Sequence, residues 1–341
     1  MGLVGMGLGS LYAAVPAVLM PTALFVRRPA LWLRALTRHH GSVSFAPSFA
    51  YELCVRRIKE REMDGLDLSS WRIAGCGAEP INASALQAFA AKFARVGFRE
   101  SSFFPSYGLA EHVLAATFPP RGRGLQCERV SIEDVDGRRE ARSAGSEAKS
   151  VTLVGCGGVF PDHNVRVVDE RGRSLPERWV GEIVLTGPSV MLGYHKQEAL
   201  TGQTIRDGWL YTGDLGYLSG ADLFVCGRAK DVIIVNGRKY HPQDLEWAVD
   251  DLAGVRRGRV VAFGASAPDR PDRVVILVES SGTVSSDVLL QSIRTQVSDL
   301  FGLYVDEVAI VPSGTIGRTT SGKVQRGATR ARYEELTRSG S

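Results

Sequence analysis

The sequence predicts an α/β protein built on a layered, largely parallel sheet. Apolar strand-like runs alternate with amphipathic helices, and small or polar residues follow the strands. The 341 residues are 44% hydrophobic and 23% charged, which is typical of a globular protein with room for two domains. In such βαβα folds the ligand-binding loops gather at the carboxyl ends of the strands, so we expect functional residues there.

Charge and cysteine usage exclude several classes of protein. The chain has 41 Lys and Arg against 37 Asp and Glu, and its formal net charge of +4 is spread along the sequence, which argues against a nucleic-acid partner. The 5 cysteines are scattered and show no CxxC spacing. We therefore expect free thiols in a reducing cytoplasm and no structural metal.

The opening segment is uncharged for 26 residues and is followed by two arginines. A signal peptide carries positive residues before its apolar run, and two prolines with four early glycines disfavour a membrane-spanning helix. We therefore expect no membrane span. The segment is predicted to form a glycine-rich turn and a buried helix from about 7 to 15, followed by a short strand at 17–20.

The next elements follow from apolar spacing and from capping residues. Asn82 is expected to cap a helix because its side chain can accept a backbone N–H in the first turn. Trp71 opens a buried strand that ends at a glycine. The predicted elements in chain order are a helix from Pro29, a strand at 42–45, a helix at 48–61, a strand at 71–75 and a helix at 82–93.

Five polar or glycine-rich segments follow predicted strands. Small residues in GCGAEP (75–80) let backbone amides approach a flat ligand, while SYGLAEH (106–112) offers the Tyr107 ring for stacking and the Glu111 carboxylate for a metal. The other three are GWLYTGDLG (208–216, with Asp214 in a glycine-flanked turn suited to binding a diol), GRAKDVIIVNGRKYHPQDLE (227–246, with Arg228 and Asp231 before an apolar strand) and GRTTSGKVQR (317–326, with Lys323 in a Ser-Gly loop).

In this order the five segments resemble those of the adenylate-forming superfamily of acyl and aryl ligases, and most closely the fatty acyl-AMP ligases. The narrower resemblance rests on GCGAEPI, SYGLAE, PQDLE and a polar segment from about 119 to 150. It extends from Met1 to about Arg330. It implies the rear part of a large AMP-binding domain (layered α/β sheet plus a small β subdomain) at 1–229 with an insertion at about 120–150, a hinge at 230–232, a small α+β lid domain at 233–335 and a tail at 336–341.

The resemblance implies binding of ATP or AMP with Mg²⁺, and neither a flavin nor NAD. A fatty acid would attack the α-phosphorus of ATP to give acyl-AMP, and the acyl group would then pass to the phosphopantetheine arm of an acyl carrier protein. The implied roles are the backbone of Gly77, Ala78 and Glu79 beside adenine, Tyr107 stacked on adenine with Gly108 next to it, Glu111 holding Mg²⁺, Asp214 and Arg228 at the ribose, Asp231 as the hinge and Lys323 as the catalytic lysine.

One part of the superfamily pattern has no counterpart. In that superfamily a Ser/Thr/Gly-rich loop with a lysine lies upstream of all five segments and wraps the β- and γ-phosphates, and no run like TSGSTGxPK occurs in the 341 residues. The GxxxxGKV run at 317–324 is not a P-loop, because Val324 stands where Ser or Thr must reach Mg²⁺. We therefore expect the rear portion of a ligase, with little ligase activity by itself.

Three hypotheses of different classes remain open at this stage. The chain is part of an enzyme whose front is encoded upstream of Met1 or supplied as a separate N-terminal ligase half. Alternatively, it is a non-catalytic paralogue that docks on an acyl carrier protein or another partner, or a decayed remnant. Within the enzyme class, a fatty acyl-CoA ligase is the alternative product specificity. The beginning of the sequence is expected to lie in a ligase core that helps to wall an acyl pocket.

Overall fold

The computed structural model describes residues 1–145, 149–235, 238–267, 270–319 and 324–339. The chain divides into two compact units, the first formed by Met1–Arg129 with Thr152–Cys226 and the second by Val130–Val151 with Gly227–Ser341. Most of the polar segment predicted as an insertion thus belongs to the second unit. The boundaries of a hinge at 230–232 stay a prediction.

The helices and strands follow one another as mixed α and β elements. The α-helices are α1 (Gly9–Tyr12), α2 (Thr22–Arg27), α3 (Ala30–Arg38), α4 (Ser48–Arg57), α5 (Ala83–Phe93), α6 (Glu198–Thr204), α7 (Pro242–Asp250), α8 (Ser286–Phe301) and α9 (Arg326–Ser339). The strands are β1 (Val43–Ala46), β2 (Ile73–Gly77), β3 (Phe103–Ser106), β4 (Thr117–Phe118), β5 (Cys127–Ser131), β6 (Ser150–Val154), β7 (Gly158–Val159), β8 (Asn164–Val168), β9 (Gly181–Thr186), β10 (Ile205–Arg206), β11 (Trp209–Ser219), β12 (Asp222–Arg228), β13 (Ile233–Val235), β14 (Arg238–Tyr240), β15 (Val255–Ala267), β16 (Arg270–Ser280) and β17 (Glu307–Val311).

A parallel sheet with the order β1–β2–β3 forms the base of the first unit. Its helices pack on it through an aromatic cluster around Trp71, whose ring lies 5.1 Å from that of Trp32 and 5.4 Å from that of Phe98. Tyr51 on α4 stacks on Trp71 at 6.2 Å and donates its hydroxyl to Gly75 O in β2 at 2.9 Å. This buried contact fixes α4 against the sheet.

A second sheet in the same unit is antiparallel and has the order β10–β11–β9–β8, with β12 paired to β11. Ile183, Leu185, Leu210 and Leu223 form its buried core. In the second unit β15 pairs antiparallel with β16, which pairs in parallel with β17. That unit has its own apolar core, so each unit is a folded body in its own right.

The local signals in the sequence predict several elements well. The strand at 42–45 and the helix at 82–93 are confirmed to within one residue, and Asn82 Oδ1 accepts the Ala85 N–H at 3.1 Å. The helix expected to reach residue 61 ends at Arg57, because Ile58 is extended and a separate 3₁₀ turn follows. The strand expected at 71–75 lies at 73–77. Trp71 precedes it, and the Trp71 indole N–H donates to Ile73 O at 2.9 Å.

The prediction for the opening segment is wrong. A π-helix at Gly2–Leu8 runs into α1, neither contains a buried residue, and no strand forms at 17–20. Leu11 is 78% exposed and Leu19 is 83% exposed. A segment that is apolar on all sides needs surfaces on all sides to become buried, and the described residues do not surround it. Within the described ranges, no helix combines the length and hydropathy needed to cross a membrane.

These differences in burial predict the stability of two variants. Trp71→Ala removes the centre of the aromatic cluster, so we expect the free energy of unfolding to fall by about 3–5 kcal/mol. Leu11→Ala, at an exposed site, is the matched control and should change it by less than about 0.5 kcal/mol. Urea denaturation followed by far-ultraviolet circular dichroism measures both. Similar losses in the two variants would contradict this assignment of the core.

Candidate active site

Two neighbouring parallel strands end side by side in the first unit. Gly77, the last residue of β2, lies in register with Ser106, the last residue of β3. The chain leaves the same sheet edge at Ala78 and Tyr107, and Ala78 adopts a left-handed backbone conformation with φ of 72°. The carboxyl ends of parallel strands are where α/β folds bind ligands, so this edge is the predicted place for a ligand.

Tyr107 is held firmly at this edge. Its backbone N–H donates to Thr117 O at 3.1 Å, and its carbonyl accepts the N–H of Ala116 at 2.9 Å and of Thr117 at 3.1 Å. The side chain is 8% exposed, and its hydroxyl donates to Asp214 Oδ2 at 2.7 Å. A short hydrogen bond to a carboxylate in a buried setting is a strong one. It fixes an aromatic ring and a carboxylate next to each other.

Asp214 lies within β11, so the predicted glycine-flanked turn is wrong. The register between β11 and β9 shifts around Asp214, and Gly213 has a positive φ of 70°. The N–H of Asp214 donates to Thr212 Oγ1 at 3.1 Å, and Asp214 is 6% exposed. This irregularity changes the direction of the Asp214 side chain within the strand. A Gly-Asp pair occurs in such irregular strands and in turns alike, so the sequence alone does not distinguish the two.

Glu79 and Gly108 flank these residues. Glu79 Oε1 accepts the N–H of Phe49 in the first turn of α4 at 3.2 Å, where a carboxylate is favoured by the helix dipole. A side chain on Gly108 would place its Cβ 1.9 Å from Leu114 O, so only glycine fits here. The Glu79 side chain thus binds the first turn of α4, and the role of this segment's backbone beside adenine stays a prediction.

Glu111 lies in a 3₁₀ turn, Ala110–His112, that follows the same sheet edge. Its Oε1 accepts a hydrogen bond from the Tyr194 hydroxyl at 2.7 Å, and its carbonyl accepts the N–H of Met191 at 2.8 Å. Sequence reasoning missed Tyr194. The available signal was a tyrosine in the glycine-containing segment GPSVMLGY directly after β9.

His112 closes this turn and is buried. Its Nδ1 lies 2.9 Å from Ala115 O, and burial lowers the pKa of the imidazole, so the neutral ring donates through Nδ1. His112 is the last residue of the 3₁₀ turn.

The donor set suits a cation that is shared with a nucleotide. Within the described residues, Glu111 Oε2 has no hydrogen-bond partner, and no group of three or more His, Cys, Asp or Glu residues forms a metal cage. Magnesium commonly keeps several waters and binds one or two carboxylates plus substrate phosphates. A single open carboxylate oxygen therefore fits Mg²⁺ bound with ATP.

The second unit carries the remaining predicted residues. Arg228 ends β12, and Asp231 lies in the 3₁₀ turn after it. Asp231 Oδ2 accepts a hydrogen bond from Arg326 Nη1 at 3.1 Å, and the same guanidinium binds both oxygens of Glu246 at 2.9 Å. Burial raises the pKa of Glu246, and the Arg326 charge opposes that shift. This ion cluster fixes the turn that contains the predicted hinge residue.

Lys323 lies outside the described residues. The chain on either side of it is well anchored, since Gln325 N–H donates to Gly317 O at 2.9 Å. Glu279 is buried and accepts the N–H of Gly314 at 2.8 Å, just before this segment. The structure therefore brings together the predicted nucleoside residues of the first unit, while Arg228 and Asp231 belong to the second.

Comparisons with known proteins show which proteins the chain resembles. A family model described as AMP-binding enzyme matches residues 1–195. A putative acyl-CoA synthetase of Caulobacter vibrioides is 39% identical over 339 residues, and the medium-chain-fatty-acid–[acyl-carrier-protein] ligase JamA of Moorena producens is 33% identical over 351. Each alignment covers 98% of this chain and 59% of the relative, so the chain spans about three-fifths of the length of these relatives.

The solved structures agree as well. A structure from work on fatty acyl-adenylate ligases of E. coli and L. pneumophila matches with a TM-score of 0.92 and 35% identity, over 99% of this chain and 61% of that one. The predicted α/β fold of the adenylate-forming type is thereby confirmed. The roles of the individual site residues stay predictions.

The Tyr107–Asp214 site predicts how AMP binding responds to substitution. Asp214→Asn should weaken AMP binding about 10- to 100-fold, because hydrogen bonds to a charged group contribute about 1.5–3 kcal/mol. Isothermal titration calorimetry measures the loss. Asp207→Asn, at an exposed position, is the control and should bind AMP normally.

The proposed contact between Asp214 and the ribose is tested by removing the ribose hydroxyls from the nucleotide. On the unsubstituted protein, 2′,3′-dideoxy-AMP should bind less tightly than AMP. On the Asp214→Asn variant, the two nucleotides should bind with nearly equal affinity. If that variant still distinguishes the two nucleotides as strongly, Asp214 does not contact the ribose.

Proposed function

The chain belongs to the AMP-binding enzyme family, and from this premise we propose that it is part of an AMP-forming ligase of the fatty acyl-AMP ligase type. Such a ligase activates a fatty acid with ATP as acyl-AMP and transfers the acyl group to an acyl carrier protein. The observation that carries the proposal is the 2.7 Å bond between Tyr107 and Asp214, which places a ring and a carboxylate at one sheet edge. Together the two groups suit a nucleoside, because the ring can stack on its base and the carboxylate can accept hydrogen bonds from its ribose.

In the proposed complex, adenine lies on the Tyr107 ring and against the backbone of Gly77, Ala78 and Glu79. Asp214 accepts hydrogen bonds from the ribose hydroxyls, assisted by Arg228. The Tyr107 hydroxyl donates to Asp214 Oδ2, which keeps that carboxylate aligned whether or not ribose is bound. The site is thus organised before the ligand arrives, which lowers the entropic cost of binding.

The proposed reaction forms a bond between a fatty-acid carboxylate oxygen and the α-phosphorus of ATP, while the bond to pyrophosphate breaks. Glu111 would hold Mg²⁺, which when bound neutralises charge on the phosphoryl oxygens. The ammonium group of Lys323 would stabilise the negative charge that spreads over those oxygens in the transition state. Asp231 would act as the hinge of the second unit.

The 341 residues contain no run like TSGSTGxPK, the loop that wraps the β- and γ-phosphates in the adenylate-forming superfamily. Phosphoryl transfer depends on positioning of the triphosphate, so we propose that adenylation from ATP needs a polypeptide that supplies this loop. A preformed acyl-AMP has no β- and γ-phosphates and needs only the nucleoside and α-phosphate contacts. The transfer step is therefore the activity to look for in this chain.

The choice of acyl acceptor is supported by the polar segment that precedes Thr152. Val130–Val151 belongs to the second unit, where its Asp134–Arg138 turn contacts β14 and Ser131 N–H donates to Arg142 O at 3.0 Å. In fatty acyl-AMP ligases such an insertion is expected to restrain the C-terminal domain and to disfavour coenzyme A. A carrier-protein thiol is therefore the proposed acceptor.

A second candidate function is a non-catalytic protein that binds an acyl carrier protein. The observation that favours it is the missing triphosphate loop. An acyl-CoA ligase is the third candidate, and it is favoured by the name of the Caulobacter relative. The three candidates differ in which product forms from acyl-AMP.

Acyl transfer from a synthetic fatty acyl-AMP distinguishes the candidates. The chain is mixed with acyl-AMP and either a carrier protein bearing its phosphopantetheine arm or coenzyme A, and intact-mass spectrometry follows the products. We expect the acylated carrier protein, little acyl-CoA, and no acyl-AMP when ATP and fatty acid are supplied instead. The carrier protein without its arm, and reactions without the chain, are the controls.

Each other outcome selects a different candidate. Acyl-CoA as the main product would indicate an acyl-CoA ligase. Binding of the carrier protein without transfer would indicate the non-catalytic function. If the chain transfers the acyl group only after a loop-bearing polypeptide is added, Lys323→Ala should abolish adenylation in that mixture and leave AMP binding unchanged.

A further inference from the structure

Two separate contacts fasten Glu111 to the segment that follows β9. The main chain is held by the N–H of Met191, which donates to Glu111 O at 2.8 Å. The carboxylate is held by the Tyr194 hydroxyl, which donates to Oε1 at 2.7 Å. Because both the backbone and the side chain are fixed from the same segment, the carboxylate has a defined position relative to it.

Tyr194 is itself fixed by its own segment. Its N–H donates to Thr201 Oγ1 at 2.9 Å, and its carbonyl accepts the Gln197 N–H at 3.1 Å. Gly193 precedes it with a φ of 152°, and a Cβ there would lie 2.7 Å from Thr201 Cγ2, so a larger residue would push the two apart. The backbone that carries the phenol is therefore placed by contacts that do not involve Glu111.

The turn that carries Glu111 has an unusual backbone. Val113, two residues later, is β-branched and has a φ of 61°, a conformation that such residues rarely adopt. His112 supports this turn by its contact with Ala115 O. A strained conformation persists only where surrounding contacts determine it, and strained turns are concentrated at functional sites. The position of Glu111 is thus set by its surroundings more than by its local sequence.

The two carboxylate oxygens of Glu111 are not equivalent. Oε1 accepts the phenolic hydrogen bond, while Oε2 has no hydrogen-bond partner within the described part of the chain. A hydrogen bond on one oxygen fixes the plane of a carboxylate and presents the other oxygen to a cation, as outer-sphere partners of metal ligands do.

We propose that Tyr194 is a positioning residue for the divalent cation site at Glu111. The phenol orients Oε2 towards a cation that is bound together with the nucleotide phosphates. This proposal rests on the proposed function, in which Glu111 holds the cation. It adds a residue outside the five sequence segments, and it predicts that cation affinity and nucleotide affinity respond differently to substitution.

The test uses Mn²⁺ as a paramagnetic probe in place of Mg²⁺. Electron paramagnetic resonance counts the Mn²⁺ that the 341-residue chain binds in the presence of ATP, and calorimetry measures AMP affinity without metal. Tyr194→Phe removes the hydroxyl and keeps the ring, so we expect Mn²⁺ affinity to fall about 10-fold with AMP affinity unchanged. Glu111→Gln should abolish the bound signal. Tyr304→Phe, at a 75% exposed site, is the control and should match the unsubstituted protein.

The outcomes separate this proposal from the proposed function. If Glu111→Gln removes the bound Mn²⁺ but Tyr194→Phe does not weaken it, the positioning role is wrong and the Glu111 site stands. If Glu111→Gln keeps the full signal, or if no ATP-dependent Mn²⁺ binds to the unsubstituted chain, both the cation site and the role of Tyr194 are wrong. A parallel loss of AMP affinity in Tyr194→Phe would indicate general damage to the site and would also overturn the proposal.

Discussion

The hydrogen bond from the Tyr107 hydroxyl to Asp214 Oδ2 is the interaction on which the site depends. It connects the end of the parallel sheet to β11 in the antiparallel sheet, across 107 positions of sequence. The Tyr107 ring also packs against the antiparallel sheet's core, which includes Ile183 and Leu210. One residue therefore fixes the relative position of two sheets and presents both an aromatic face and an aligned carboxylate. Without this hydrogen bond, the ring suited to a base and the carboxylate suited to a ribose would not be held at a fixed distance from each other.

A similar arrangement holds the Glu111 carboxylate. Tyr194 reaches it across 83 positions of sequence, and the Met191 amide binds its backbone. In both cases a tyrosine hydroxyl donates to a carboxylate that is the proposed ligand-binding group. The geometry of the first unit thus relies on a few short hydrogen bonds between segments that are far apart in the chain. The second unit uses a charged version, in which Arg326 binds Asp231 and Glu246.

Features that depend on residues close in sequence could be predicted, whereas features that depend on contacts between distant residues could not. The parallel strands and the Asn82 cap follow from apolar spacing and from one side chain, so they could be predicted. Asp214 could not be placed correctly, because its position within a strand depends on pairing with β9 and not on the adjacent glycine. Tyr194 was missed because its partner is 83 positions away. The prediction that the opening segment is buried was wrong for a related reason. Apolar composition indicates that a segment would be stabilised by burial, but it does not show whether other residues of the chain cover it.

A crystal structure of the chain with AMP would show whether Tyr107 and Asp214 form a nucleoside site. We expect adenine stacked on the Tyr107 ring and a ribose hydroxyl about 2.7–3.2 Å from an Asp214 oxygen, with the hydrogen bond between Tyr107 and Asp214 retained. AMP bound elsewhere, or bound here with no ribose contact to Asp214, would contradict it.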